Sequence, residues 1–221
     1  MGFHRGPNTV TEGLKLSLDA GNEKSYPGTG TIWYDKSGNG FNGTFTNGPT
    51  YSGGSIVFDG VDDYVTTPDP LLPQYNWTIE VVLKCNDFSN SPIFLSPISA
   101  GIDHYLRFTS AGKLGFQLTT AADVGNRGSS SNYTAAIGET VHATFIRTAT
   151  YQSIFVNGQL DRQDSDTVAS AAWDGTWRFG TRGNTTFAFN GNIYSTRAYS
   201  RVLTDEEILQ NYNATKARFG L

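Results

Sequence analysis

Apolar residues along this chain recur at every second position in short runs, with polar turn formers between the runs. In TEGLKLSLDAG, Leu14, Leu16 and Leu18 share one face, the period of two that a half-buried strand requires. GGSIVFDG reads as a second strand and TIEVVLKC as a third, with Ile79, Val81 and Leu83 pointing the same way. HYLRFTSAGKLGFQLTT has the form of a hairpin: Leu106 and Phe108 precede a Ser110-Ala111-Gly112 turn, and Leu114, Phe116 and Leu118 follow it. ETVHATFIRTATYQSIFVNGQLDRQ repeats the pattern, with Val141, Ala143 and Phe145 alternating and Asn157-Gly158 predicting a type I′ turn. TWRFGTR and FNGNIYSTRAYSRVL supply the last strands, whereas NEKSYPGTGTIWYDKSGNGFNGTF is dominated by turn formers and predicts mostly loop.

The period changes only at the end, where a helix is predicted over 204–217. Thr204 is placed to be its N-cap, Glu207 to close a capping box, and Leu203 and Ile208 to form a hydrophobic staple. Asp205 and Glu206 suit the positive end of this helix, and Lys216 and Arg218 its negative end. Ile208, Leu209 and Tyr212 form the apolar stripe expected to dock on the strands.

No linker, duplication or shift in composition divides these elements, so an all-β sandwich of two antiparallel sheets with a short C-terminal helix is the economical reading. It occupies 14–221, behind a segment 1–13 that is either an arm gripping a neighbouring subunit or a flexible start. Twenty-nine aromatic residues and 16% charged residues in 221 argue against disorder. The apolar runs are too short to cross a membrane, and MGFHRGPN does not read as a secretory signal. A net charge of −4 without a basic block disfavours nucleic acid as a partner. The lone Cys85 excludes an intrachain disulfide and reads as a buried thiol.

Two groups of residues invite a functional reading beside a purely structural one. Asp59, Asp62 and Asp63 cluster in a tight turn, where they either fix the turn through backbone N–H groups or supply oxygen ligands to calcium. Trp33 and Tyr34, beside the turn Asp35-Lys36-Ser37-Gly38-Asn39-Gly40, and Trp173, near Asp174-Gly175, either pack inward or present a stacking face to a sugar. Trp177, entering the strand WRFG, is expected inside. Glycoside hydrolysis needs two placed carboxylates, yet Glu80 stands alone in TIEVVLK, and Asp161, Asp164 and Asp166 follow a hairpin with ordinary loop character. His4, His104 and His142 have no nucleophile elbow to serve, and Gly28-Thr29-Gly30 lacks the context of a nucleotide loop. The chain is therefore expected not to be an enzyme.

The stretches GLKLSLDAGNEKSYPGTGTIWYDKSGNGFNGTF, GGSIVFDGVDDYV, IFVNGQL, FGTRGNTTFAFNGNIYSTRAYSRVLTDEEILQNYN and TKARFG span nearly the whole chain. Together they resemble the concanavalin A-like lectin/glucanase superfamily, in the laminin-G-like jelly roll of tailed-bacteriophage virion proteins. The resemblance implies a jelly-roll sandwich. Relatives include carbohydrate-binding modules, adhesion domains, virion decoration proteins and, more widely, glucanases; the alternating acidic strand of the glucanases is not matched by TIEVVLK. Calcium ligation by loop carboxylates in some relatives makes Asp19, Asp59, Asp62 and Asp63 the candidates here. The function implied is that of a virion structural or capsid decoration protein, bound to capsid or other virion proteins and touching host polysaccharide, with oligomeric state open. The alternatives are a lectin-like adhesin and, with least support, a glycan hydrolase.

Overall fold

The computed structural model describes residues 7–98, 104–120, 123–167, 172–173, 175–182 and 187–221. In chain order its strands are β1 (Leu14–Asp19), β2 (Ile32–Trp33), β3 (Gly43–Thr46), β4 (Thr50–Ser52), β5 (Ser55–Asp59), β6 (Tyr64–Thr67), β7 (Trp77–Cys85) and β8 (Ile93–Ile98). There follow β9 (Tyr105–Phe108), β10 (Leu114–Thr120), β11 (Asp123–Ser130), β12 (Thr140–Arg147), β13 (Tyr151–Val156), β14 (Gln159–Ser165), β15 (Thr176–Phe179), β16 (Asn190–Tyr199) and the helix α1 (Asp205–Phe219).

Two antiparallel sheets stack face to face. Sheet A runs β14-β13-β12-β7-β16-β5-β4, with β1 also paired to β16; sheet B runs β11-β10-β9-β8-β15-β6-β3-β2. The alternation read from the sequence decides which face of each strand enters the core. Leu16 and Leu18, Ile79, Val81 and Leu83, Leu106 and Phe108, Leu114, Phe116 and Leu118, and Val141, Ala143 and Phe145 all belong to one buried cluster between the sheets. Cys85 lies in the same cluster, and burial pushes its thiol up to about 12, consistent with a packing role. The β13–β14 turn has Asn157 at φ 51° and Gly158 at φ 80°, the two left-handed residues that a type I′ turn demands.

The segment 22–45 is mostly loop, as expected, and adds the two-residue β2 and the start of β3 to the edge of sheet B. Asp161 and Asp164 correct an expectation, since both lie within β14 rather than in a loop. Their carboxylates hold the sandwich shut along one side. Asp161 accepts the N–H groups of Asn132 and Tyr133 at 2.6 and 3.0 Å, and Asp164 accepts from the Ser129 hydroxyl of β11 in the facing sheet. Asp166 is buried against Arg147, with Nη1 to Oδ2 at 2.8 Å.

The predicted capping box is present. Thr204 accepts from the N–H of Glu207, and the Glu207 carboxylate accepts from the N–H of Thr204. Leu203 and Ile208 are buried together with Val10, Ile146, Phe155 and Tyr199. The docking face differs from the expected apolar stripe: Leu209 is exposed, and Ile208, Asn211 and Thr215 are the buried residues. This face is partly polar because it covers polar side chains on the outer side of sheet A. Within 1–13, residues 1–6 lie outside the described residues; Asn8, Val10 and Glu12 accept hydrogen bonds from Gln210, Tyr199 and Arg201, so this stretch is tied to α1 and its approach.

Candidate functional site

Helix α1 covers part of the outer face of sheet A, whereas no helix covers the outer face of sheet B among the described residues. On sheet B the alternation that sends Leu106, Phe108, Leu114, Phe116, Trp177 and Phe179 inward turns Tyr105, Arg107, Gly115, Gln117 and Arg178 outward. Register aligns Gly128, Gln117 and Tyr105 across three strands; Arg178 of β15 lies opposite Ser96 of β8 on one side, with Thr66 and then Thr44 on the other.

Two glycines open this surface. Gly115 and Gly128 sit on neighbouring strands, and neither has a positive φ; an added Cβ would press on the Arg107 side chain at 3.1 Å from Gly115 and on the Phe116 carbonyl oxygen at 3.3 Å from Gly128. Without side chains they leave a hollow of about 160 Å³ bordered by Arg107, Gln117, Ser129 and Ser130. Glycine inside a strand weakens it and often marks a bulge, a bend, or a place where a ligand or another backbone approaches closely. Tyr105 stiffens the wall: its hydroxyl donates to Gln117 Oε1 at 2.5 Å, and its ring lies between the guanidinium groups of Arg107 and Arg182, centred 5.4 and 5.5 Å away. Arg178 stacks on Tyr64 at 4.2 Å. These side chains offer hydrogen-bond donors, amide and hydroxyl groups and aromatic edges. No carboxylate lines the hollow among the described residues.

The residues singled out from the sequence fall elsewhere. Trp33 and Trp173 are 0% and 1% exposed, inside the core, Trp173 beside Trp177, so neither indole offers a stacking face. Tyr34 is exposed. Its loop is organised by Asp35, whose carboxylate accepts the N–H groups of Ser17, Ser37 and Phe41 at 2.9, 2.8 and 3.1 Å, as a self-sufficient turn would.

Asp59, Asp62 and Asp63 do come together, with ligand oxygens within 4.8 Å of one another on the crossover from β5 to β6. Two of these carboxylates also carry the turn: Asp59 Oδ1 accepts from the N–H of Val61 at 2.8 Å and Asp63 Oδ2 from that of Asp59 at 3.1 Å. Burial, with the charges of Asp59 and Asp62 adding to it, raises the Asp63 carboxyl above its ordinary value. Three hard, mutually repelling oxygen donors fit part of the shell of six to eight that calcium takes. Asp19 stands apart from them, its carboxylate 2.8 Å from Arg218 Nη2.

Sequence reasoning missed a polar cluster beneath α1. Glu80 and His142 are each 1% exposed, with Glu80 Oε1 3.9 Å from His142 Nε2 and Oε2 3.7 Å from Arg197 Nη1. Asn211 of α1 donates to Glu80 Oε2 at 3.0 Å. A carboxylate so covered is a fastening for the helix and has no open cleft to act in. Glu80 and His142 alternate out of the core-facing set of β7 and β12, which is the signal that could have found them. His104 is also buried, stacked on Trp173.

A family model for the concanavalin A-like lectin/glucanases superfamily matches residues 59–209. No curated protein sequence matches the chain. Among solved structures, the binding domain of botulinum neurotoxin serotype D superposes with a TM-score of 0.73 at 15% identity, over 93% of this chain and 52% of that one. The binding domain of Paraclostridial Mosquitocidal Protein 1 gives 0.68 at 12% identity, over 92% and 52%. This chain thus spans about half the length of these toxin domains. Domain 4 of AbnA, a GH43 extracellular arabinanase from Geobacillus stearothermophilus solved in complex with arabinotriose, gives 0.67 at 16% identity, over 90% of this chain and 98% of that one.

Proposed function

Because the chain belongs to the concanavalin A-like lectin/glucanases superfamily, we propose that it is a non-enzymatic binding domain that takes a glycan on the outer face of sheet B. The observation that carries this reading is the hollow that the strand glycines Gly115 and Gly128 leave on the outer face, flanked by Arg107, Gln117 and Ser130. A polar hollow with aromatic support is suited to hydroxyl-rich ligands. It has no acid and base pair for glycoside cleavage among the described residues, and Glu80 is sealed beneath the helix. The arabinotriose complex of the AbnA domain supports sugar recognition by this architecture.

The setting we propose is the surface of a bacteriophage particle, where the domain acts as a structural or decoration component held by capsid or other virion proteins. The support is the sequence resemblance to virion jelly rolls. Calcium, if bound, would be held by Asp59, Asp62 and Asp63, where its charge would relieve their mutual repulsion.

A glycan array probed with the parent chain and with Gly115→Thr tests the binding role. Binding by the parent and its loss in the variant support it; an array without signal overturns it. Immunoelectron microscopy of purified particles tests the location, and particles free of the protein would exclude it.

A further inference from the structure

Two groups stand out among the described arginines. Arg147, Arg162, Arg197, Arg201 and Arg218 each lie within 4 Å of a carboxylate, on sheet A, after its last strand or on the helix. Arg107 and Arg178, on the outer face of sheet B, have no hydrogen-bonding or ionic partner among the described residues and lie against Tyr105 and Tyr64 instead. The Nε of Arg178 is buried without a partner. Stacking on a ring fixes the plane of a guanidinium while leaving its donor edge available, and a planar fork of donors matches the two oxygens of a carboxylate or sulfate.

Their placement adds a length scale. Arg107 pairs across β9 with Ile93 of β8, and Arg178 pairs with Ser96 of β8 from the other side. Two strand spacings, roughly 10 Å, separate them across the sheet, and the three-residue offset from Ile93 to Ser96 adds roughly 10 Å along it, so their backbones lie roughly 14 Å apart. The hollow floored by Gly115 and Gly128 adjoins Arg107. The surface thus provides an open seat beside one fixed cation and a second fixed cation farther along, in a protein whose net charge is −4. A stable fold has reason to pair such cations internally, as this chain does with Arg147, Arg162, Arg197, Arg201 and Arg218.

We propose that the ligand of this face is an acidic glycan, with carboxylate or sulfate groups repeating along the chain, read by Arg107 and Arg178. This inference rests on the glycan reading of sheet B and names its chemical class.

The test is calorimetric titration of the full chain with polygalacturonate and chondroitin sulfate, and in parallel with methyl-esterified polygalacturonate and dextran. The acidic polymers are expected to bind at least tenfold more tightly than the neutral ones and to weaken steeply as salt rises. Arg107→Gln and Arg178→Gln, checked for an unchanged melting midpoint, are each expected to lose at least tenfold, with partial recovery in the lysine variants. Equal binding of acidic and neutral polymers, or glutamine variants that bind like the parent, overturns the acidic class and leaves the glycan reading standing. No binding of either acidic polymer overturns the inference, and the array described above then decides the glycan reading separately.

Discussion

Asn211 of α1 donates to the buried Glu80 carboxylate of β7 at 3.0 Å, and with the same carboxamide nitrogen to the Tyr199 hydroxyl at 3.0 Å. Its oxygen accepts from the N–H of Val10 at 2.7 Å. One side chain therefore fastens the helix, the middle of sheet A and the segment preceding β1.

Asn211→Ala is expected to lower stability by roughly 3 kcal/mol, because it strands a buried backbone N–H and one oxygen of a buried carboxylate. Chemical denaturation of the two proteins measures it; a loss below about 1 kcal/mol would mean that water replaces the amide.

Glu80 and His142 respond to pH in opposite senses. Burial, opposed by Arg197 and Asn211, pushes the Glu80 carboxyl from 4.5 up to about 7, while burial, aided by the Arg197 charge, pushes His142 from 6.5 down to about 3. Folded Glu80 keeps a proton that the unfolded chain releases, so its contribution falls as pH rises from 4.5 through 7. Unfolded His142 gains a proton that the folded chain refuses, so its contribution falls as pH drops from 6.5 towards 3. Between pH 4.5 and 6.5 the two slopes cancel. Glu80→Gln removes only the first, so the variant is expected to lose on the order of 3 kcal/mol on going from pH 6.5 to 4.5 relative to the parent. Parallel pH profiles for the two proteins would contradict this assignment.

A chain ending at Ser200 is expected to lose its cooperative unfolding transition or to melt well below the parent. Removing α1 uncovers Ile146 and Phe155 together with Glu80, His142 and Arg197, whose burial is tolerable only under the helix. Unchanged midpoints in heat and denaturant would refute the fastening role.

Gly115→Thr is expected to leave the fold intact and fill the hollow. The new Cβ would meet the flexible Arg107 side chain, with Cγ at 3.1 Å, and a β-branched residue suits a strand. The expected result is a melting midpoint equal to or above that of the parent with at least tenfold weaker glycan binding.

The Asp59–Asp62–Asp63 turn predicts a metal-linked stability. In chelator, Asp62→Asn is expected to melt slightly above the parent, since one repelling charge is gone. Millimolar calcium is expected to raise the parent's midpoint and not the variant's. No calcium response in the parent, by melting or calorimetry, removes the site.

The sequence by itself determined the sandwich, the tight β13–β14 turn and the capped helix, because each follows from local rules: a period of two, two left-handed residues, and a threonine three positions before a glutamate. It also brought Asp59, Asp62 and Asp63 together, since a tight turn leaves them no room to separate. Strands as short as Ile32–Trp33 were not legible, because two residues carry no period. Tertiary structure alone decided which sheet's outer face α1 covered and which it left open. Trp33 and Trp173 went inside because the gap between the sheets takes large side chains, whereas Gly115 and Gly128, unremarkable in the sequence, met on adjacent strands to form the hollow. Likewise, only the folding of α1 over sheet A turned Glu80 from a solitary acid into a sealed anchor. Such pairings depend on residues distant in sequence sharing one surface, which no local periodicity encodes.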